Sequence, residues 1–240
     1  MNTLTILIAG FGRFPGAAIN PSGLIASRLA RSRRPALAGT RRVAHVFATR
    51  YDAVDRELPA LLARERPDIV LVLGLATRAR RLRIEEVARN RVSVLFPDAG
   101  GCRPAMPAIA PGRAAMRNPR PIETLVQAAR SAGVPAARSR NAGTYLCNYI
   151  YWRTLDAART PGGPRLVAFV HVPPIRAKPL PAGRRRRGFR VADLMRAGEA
   201  ILLAMTALAK QDASQTTQAK QLLDGRRSRW DNPVDLFKVK

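Results

Sequence analysis

The run Asp68-Ile-Val-Leu-Val-Leu73 constrains the fold more than any other stretch. After Asp68 it has no polar residue, and Gly74 ends it. A strand that is apolar on both faces has to be covered on both faces, as parallel sheets in α/β proteins are. Leu4–Ala9, stopped by Gly10, and Leu166–Val172 have the same character. Val43–Phe47, Val92–Phe96 and Val134–Arg138 read as further strands.

Helical patterns alternate with these runs. Asn20-Pro21-Ser22 starts one, with Asn20 as N-cap and Pro21 at the first helical position. It is expected to reach about Arg33, with Leu24, Ile25 and Leu29 inward. Val54–Arg64 and Pro121–Ala132, closed by Gly133, are two more. Phe189–Lys210 is strongly amphipathic, with Val191, Leu194, Met195, Leu202, Met205 and Leu208 on one side. The alternation predicts an α/β three-layer open sandwich, a mostly parallel twisted sheet with helices on both faces. Residues 1–211 are expected to form this single domain. Residues 212–240 read as a basic polar C-terminal tail, with a short helix near Ala219–Leu223.

Length and charge bound the function. The 240 residues suffice for a substantial core, and 42 Lys+Arg against 16 Asp+Glu leave a formal net charge of +26. Such a chain attracts anions, nucleic acid included. Its charge, however, is Arg spread throughout, as at Arg31–Arg34, Arg41–Arg42, Arg78–Arg83 and Arg184–Arg187, without interleaved aromatics. Two cysteines, Cys102 and Cys147, make no disulfide framework and no Cys/His spacing reads as a metal site. No signal peptide and no run long enough to span a bilayer is evident, so a cytoplasmic location is expected.

Three groups could carry chemistry. Asn141–Trp152 (N-A-G-T-Y-L-C-N-Y-I-Y-W) reads as a flexible loop turning into a buried helix, with Cys147 in the first turn. A helix N-terminus and a nearby imidazole both favour a thiolate. Read alone, Cys147 fits a buried small apolar residue better than a nucleophile. His171, one of two histidines, ends an apolar strand, where ligand and catalytic groups of open α/β sheets gather. His45, inside V-A-H-V-F, reads as structural. Glu85 and Glu86 are candidate partners for an imidazole, and spacing does not choose between them.

The loop Gly10–Gly16 (G-F-G-R-F-P-G) suggests a different class, a dinucleotide site with Arg50 on a 2′-phosphate. The helix beginning at Asn20-Pro21 rather than at the glycines, and the bulk of Phe11 and Phe14, count against it.

Taken in order, these blocks resemble the pyroglutamyl peptidase I family of cysteine peptidases. The family's G-F-x-x-F-x-G and N-P-S look like Gly10–Gly16 and Asn20-Pro21-Ser22. Its P-D-x-x-x-x-x-G is similar to Pro67–Gly74, its E-R-x-A-x-N to Glu85–Asn90, and its F-x-H-x-P to Phe169–Pro173. Its S-x-x-A-G-T-[YF]-x-C-N is similar to Ser139–Asn148 nearly residue for residue.

The resemblance implies a Cys–His–Glu triad of Cys147, His171 and Glu85, a substrate pocket of Phe11, Phe14, Leu75, Tyr145 and Leu146, and no cofactor or metal. It implies a homo-oligomer, tetramer or dimer, that removes an N-terminal pyroglutamyl residue from peptides through an acyl-enzyme. Two positions depart. Where the family reads G-Q-A-G-G-R, this chain has Gly74-Leu75-Ala76-Thr77-Arg78-Ala79, so Leu75 replaces a glutamine that holds the lactam and Ala79 replaces an arginine. A shifted acyl specificity is therefore expected. The competing expectation is a catalytically retired member that holds an anionic partner through its basic surface.

Overall fold

The computed structural model describes residues 3–14, 16, 17, 19–175 and 188–230, with backbone alone from 216 onward. The run 184–187 lies outside the described residues.

The described residues form eight strands and five α-helices. They are β1 (Leu4–Phe11), α1 (Pro21–Ala30), β2 (Thr40–Phe47), α2 (Tyr51–Glu65), β3 (Ile69–Leu75), β4 (Leu82–Glu85), β5 (Val87–Ala88), β6 (Met116–Arg117), α3 (Ile122–Ser131), β7 (Ala136–Ser139), α4 (Leu146–Ala157), β8 (Leu166–Val172) and α5 (Val191–Trp230). Six strands make one sheet in the order β2-β1-β3-β8-β4-β7, and β5 pairs with β6 apart from it. Every neighbouring pair in the large sheet is parallel except β8–β4. This is the expected three-layer α/β architecture.

The period-two alternation of the strands sorts their side chains into two cores. Ile6, Ile8, Ile69, Leu71, Leu73, Leu82, Ile84, Leu166, Ala168 and Val170 meet Ile25 and Leu29 of α1, Leu125 and Val126 of α3, and Leu194, Ile201 and Met205 of α5. Leu7, Ala9, Val70, Val72, Val167 and Phe169 meet Val54, Leu58 and Leu61 of α2 and Leu146, Ile150, Trp152 and Leu155 of α4. The same parity sends Gly74, Arg83, Glu85 and His171 to the α2/α4 side of the sheet.

Several local expectations change. Helix α1 stops at Ala30, and Leu24 is exposed because Gly23 is the residue that sits against Phe11 and Val46. Residues 92–96 are not a strand. Val92 is buried, but its N–H bonds Pro107 O and that of Ser93 bonds Thr144 O, while Leu95 and Phe96 project outward. No sheet edge is there to pair them. The basic stretch after β3 conceals β4, whose L-R-I-E alternation is legible only once a neighbouring strand supplies its register. Helix α5 continues past Lys210 to Trp230 as one element.

Candidate active site

The nucleophile turn is built by its backbone. Tyr145 is the N-cap of α4, extended at φ −120° and ψ −163°, and no side chain caps it. Leu146 is the first helical residue and Cys147 the second, so the thiol lies where unshared N–H groups place positive partial charge. Gly143, at φ +83°, makes the bend into this turn, and its N–H bonds Asn141 Oδ1 at 3.1 Å. The sheet leaves room for the sulfur only because position 74 has no side chain. A Cβ built on Gly74 would lie 2.8 Å from Cys147 Sγ.

His171 is the penultimate residue of β8, aligned with Gly74 on one side and Arg83 on the other. Its Nδ1 lies 2.7 Å from Glu85 Oε1. Glu85 ends β4, is fully buried, and receives the Asn141 N–H on its other oxygen at 3.2 Å. With Nδ1 given to Glu85, the remaining ring nitrogen is left for Cys147, which lines the same cavity. Burial alone would disfavour the imidazolium. The negative charge of Cys147, the hydrogen bonds to Cys147 and Glu85, and the Glu85 charge outweigh it and push the His171 pKa up to about 9. Phe169 stacks edge-on to the ring, with centroids 4.9 Å apart.

Cys147 and His171 open onto a cavity of about 470 Å³. Phe11, Phe14, Leu75, Tyr145 and Leu146 all line it. Phe11 is held by the glycine loop. Its N–H bonds Ser22 Oγ at 3.1 Å, Asn20 Oδ1 caps α1 through the Ser22 N–H, and Asn20 Nδ2 bonds Gly12 O at 2.8 Å. Helix α1 starts from Asn20 and its first turn packs directly on the loop, a Cβ on Gly10 falling 2.5 Å from Ser22 O, which leaves no space for a pyrophosphate between that glycine and the helix. His45, the other histidine, pairs with Glu57 at 2.8 Å on the far strand β2 and is remote from this cavity. Glu86 pairs with Arg117 and Cys102 is exposed. Among the described residues no group of His, Cys, Asp and Glu could hold a metal ion, and no helix is long and apolar enough to cross a membrane.

Four residues here carry no role in the sequence patterns: three act through side chains and Asn141 through its backbone N–H. Asn148, next to the thiol, accepts the Arg89 N–H and donates to Arg89 O and Arg91 O, all at 2.8 Å. Tyr151, one turn further along α4, donates to Glu85 O at 2.7 Å. One helix thus carries the thiol and ties down the backbone at Glu85 and just beyond it. Asn141 and Arg83 touch the Glu85–His171 pair directly. The signal for Asn148 was its place beside Cys147. The signal for Arg83 was its parity with Glu85.

The model of the pyroglutamyl peptidase family matches residues 4–183. The chain is 35% identical over 170 residues to the pyrrolidone-carboxylate peptidase of Chromobacterium violaceum, covering 70% of this chain and 77% of that one. It is 32% identical over 209 residues to pyrrolidone-carboxylate peptidase 1 of Ralstonia nicotianae, covering 87% and 95%. Among solved structures, the pyrrolidone carboxyl peptidase of Thermococcus litoralis superposes with a TM-score of 0.75 at 27% identity, over 87% of this chain and 96% of that one. A mutant pyrrolidone carboxyl peptidase of Pyrococcus furiosus gives 0.74 at 27%, over 85% and 100%. The chain belongs to the pyroglutamyl peptidase family and is a cysteine-type omega-peptidase of that kind.

Proposed function

We propose that this chain cleaves an N-terminal pyroglutamyl residue, or a closely related acyl group, from peptides, with Cys147 as nucleophile, His171 as general acid and base, and Glu85 as the group that orients His171. The observation that carries the reading is the buried Glu85 Oε1–His171 Nδ1 pair, with His171 and Cys147 lining one cavity. A nucleophile, a base in contact with it and a third group orienting the base make up the working unit of such enzymes.

The steps follow from those contacts. The Cys147 thiolate attacks the carbonyl carbon that joins the acyl group to the peptide nitrogen. The developing oxyanion takes its donors from the unshared N–H groups of the first turn of α4. His171 gives its proton to the departing nitrogen as the C–N bond breaks, leaving a thioester on Cys147 and a free peptide amine. A water then gives a proton to His171 as its oxygen attacks the thioester. The acid product leaves, and thiolate and imidazolium are restored. Glu85 keeps one tautomer in place and stabilises the imidazolium throughout.

Phe11 and Phe14 offer the acyl group an apolar wall, and Tyr145 and Leu146 close the cavity beside the thiol. Leu75, 9% exposed, presents only hydrocarbon where a lactam has a carbonyl and an N–H to satisfy. An acyl group with less polar edges is therefore held better than the same pocket with glutamine would hold it. The free thiols fit a reducing cytoplasm, and we expect a homo-oligomer in solution, to be tested by light scattering on a sizing column.

The test is hydrolysis of fluorogenic pyroglutamyl amides beside five- and six-membered lactam and acyl analogues, together with iodoacetamide labelling. Turnover that is lost in Cys147→Ser, with Cys147 alkylated faster than a free thiol, supports the reading. No turnover on any of these substrates, with labelling no faster than a free thiol, refutes it.

A further inference from the structure

Arg83 stands behind His171 with its charge only partly answered. Its Nε lies 3.6 Å from Glu85 Oε1, beyond hydrogen-bond reach, and is buried without a hydrogen-bond partner. Its Nη2 is 3.4 Å from His171 Nδ1, but the proton on that nitrogen is directed to Glu85, so donor faces donor. The Glu85 carboxylate is already used by His171 and by the Asn141 N–H. A guanidinium has five N–H donors in a fixed fork. Here they meet an imidazole that is itself cationic when it serves as acid.

Arg78, on the stretch between β3 and β4, lines the same cavity and makes no ion pair among the described residues. No acidic side chain lines the cavity there either. Some arginines elsewhere are paired with carboxylates, as in Arg41–Glu65, Arg113–Asp156, Arg153–Asp55 and Arg165–Asp68, but 42 Lys+Arg against 16 Asp+Glu leave many without one; what sets Arg78 and Arg83 apart is that both line the cavity of the thiol. The cavity concentrates cations and leaves their partner to the ligand.

The position of Arg83 says which part of a ligand that is. The acyl side of the cavity is apolar, with Phe11, Phe14 and Leu75. Arg83 abuts His171, the residue that protonates the leaving nitrogen. Resting on the peptidase reading above, we propose that Arg83 and Arg78 are specificity-determining residues that bind a carboxylate on the residue following the scissile bond, so that the enzyme favours acyl peptides whose next residue carries a negative charge. The carboxylate has two possible sources: the side chain of an Asp or Glu, or the free C-terminus of a dipeptide. Arginine meets either with paired, charge-assisted bonds.

The experiment compares kcat/KM for pyroglutamyl-glutamate amide, pyroglutamyl-glutamine amide and pyroglutamyl-glutamine with a free C-terminus, in wild type, R78Q, R83Q and R83K. The amide of glutamine is the neutral isostere common to both arms. The expected result is about a tenfold or larger preference for one or both charged substrates over it, shrinking as salt rises. In R83Q the preference collapses toward unity, while R83K keeps part of it and R78Q lowers it. The arm that shows the preference identifies the source. Because each value is a ratio within one protein, partial loss of folding or activity in a variant cancels. If R83Q does not fold, the wild-type ratio, its salt dependence and R78Q still decide. Wild-type ratios within about twofold of unity overturn this inference alone. No turnover of any substrate overturns the peptidase reading and this inference with it.

Discussion

Gly74 and Cys147 share one volume: the Cβ that any other residue would place at 74 falls 2.8 Å from the Cys147 sulfur and 2.7 Å from Phe169 Cζ. The strand that most shapes the fold therefore carries, one residue before its end, the one residue type that lets the helix N-terminus bring its thiol to the sheet. Gly74→Ala is expected to displace Cys147 from His171 rather than to strain the backbone. Activity should drop by about a hundredfold or more, since small misplacements of reacting groups cost that much. Stability should fall by only about 1–3 kcal/mol, as for an overpacked core. Steady-state kinetics and urea denaturation on the same variant separate the two effects.

The raised pKa of His171 gives the pH profile a sign. The proton that the leaving nitrogen needs is lost as pH passes about 9, so kcat/KM should decline on the basic side near that value. Glu85→Gln removes a negative charge that supports the imidazolium, which moves this limb to lower pH. It should also lower kcat by about 10²- to 10⁴-fold through loss of the correct tautomer. A limb that stays in place in Glu85→Gln would contradict the orienting role.

The same group links stability to pH. The folded pKa of His171 lies above its usual 6.5, so the stabilisation it brings is complete below about 6.5 and disappears as pH rises through about 9. Denaturant midpoints of wild type and His171→Gln should converge across that window.

Leu75→Gln restores to the cavity a side chain that can pair with a lactam edge. Pyroglutamyl amides should gain about tenfold in kcat/KM, the worth of one hydrogen bond to a buried polar group. Substrates with a purely apolar acyl group should lose rather than gain. Parallel assays of the two substrate types check both directions.

Asn148 is fully buried and makes three 2.8 Å bonds to the backbone at 89 and 91. Asn148→Ala strands those groups and should destabilise the fold by about 2–4 kcal/mol. Because that backbone follows directly from Glu85, kcat should fall more than KM rises. Chemical denaturation with steady-state kinetics tests the pairing of these effects.

Sequence alone carried the layer architecture, because runs such as 69–73 and 166–170 are apolar at every position and can exist only as covered strands. It also carried Cys147, His171 and Glu85 as candidates, through ordered blocks whose residue types match a family pattern. It could not supply β4. Arginines crowd that stretch, and L-R-I-E becomes a strand only because β7 and β8 flank it with complementary backbone. Nor could it bury Val92 and turn 94–96 outward, since five largely apolar residues look alike whether or not a sheet edge is near. What tertiary structure decided is which side chains face one another. Strand parity and the sheet order put Gly74, Arg83, Glu85 and His171 on the side of α4, and that placement joins a helix N-terminus, a buried carboxylate and an underused guanidinium around one imidazole. Such adjacency depends on contacts between residues 56 to 88 positions apart, which local propensity does not encode.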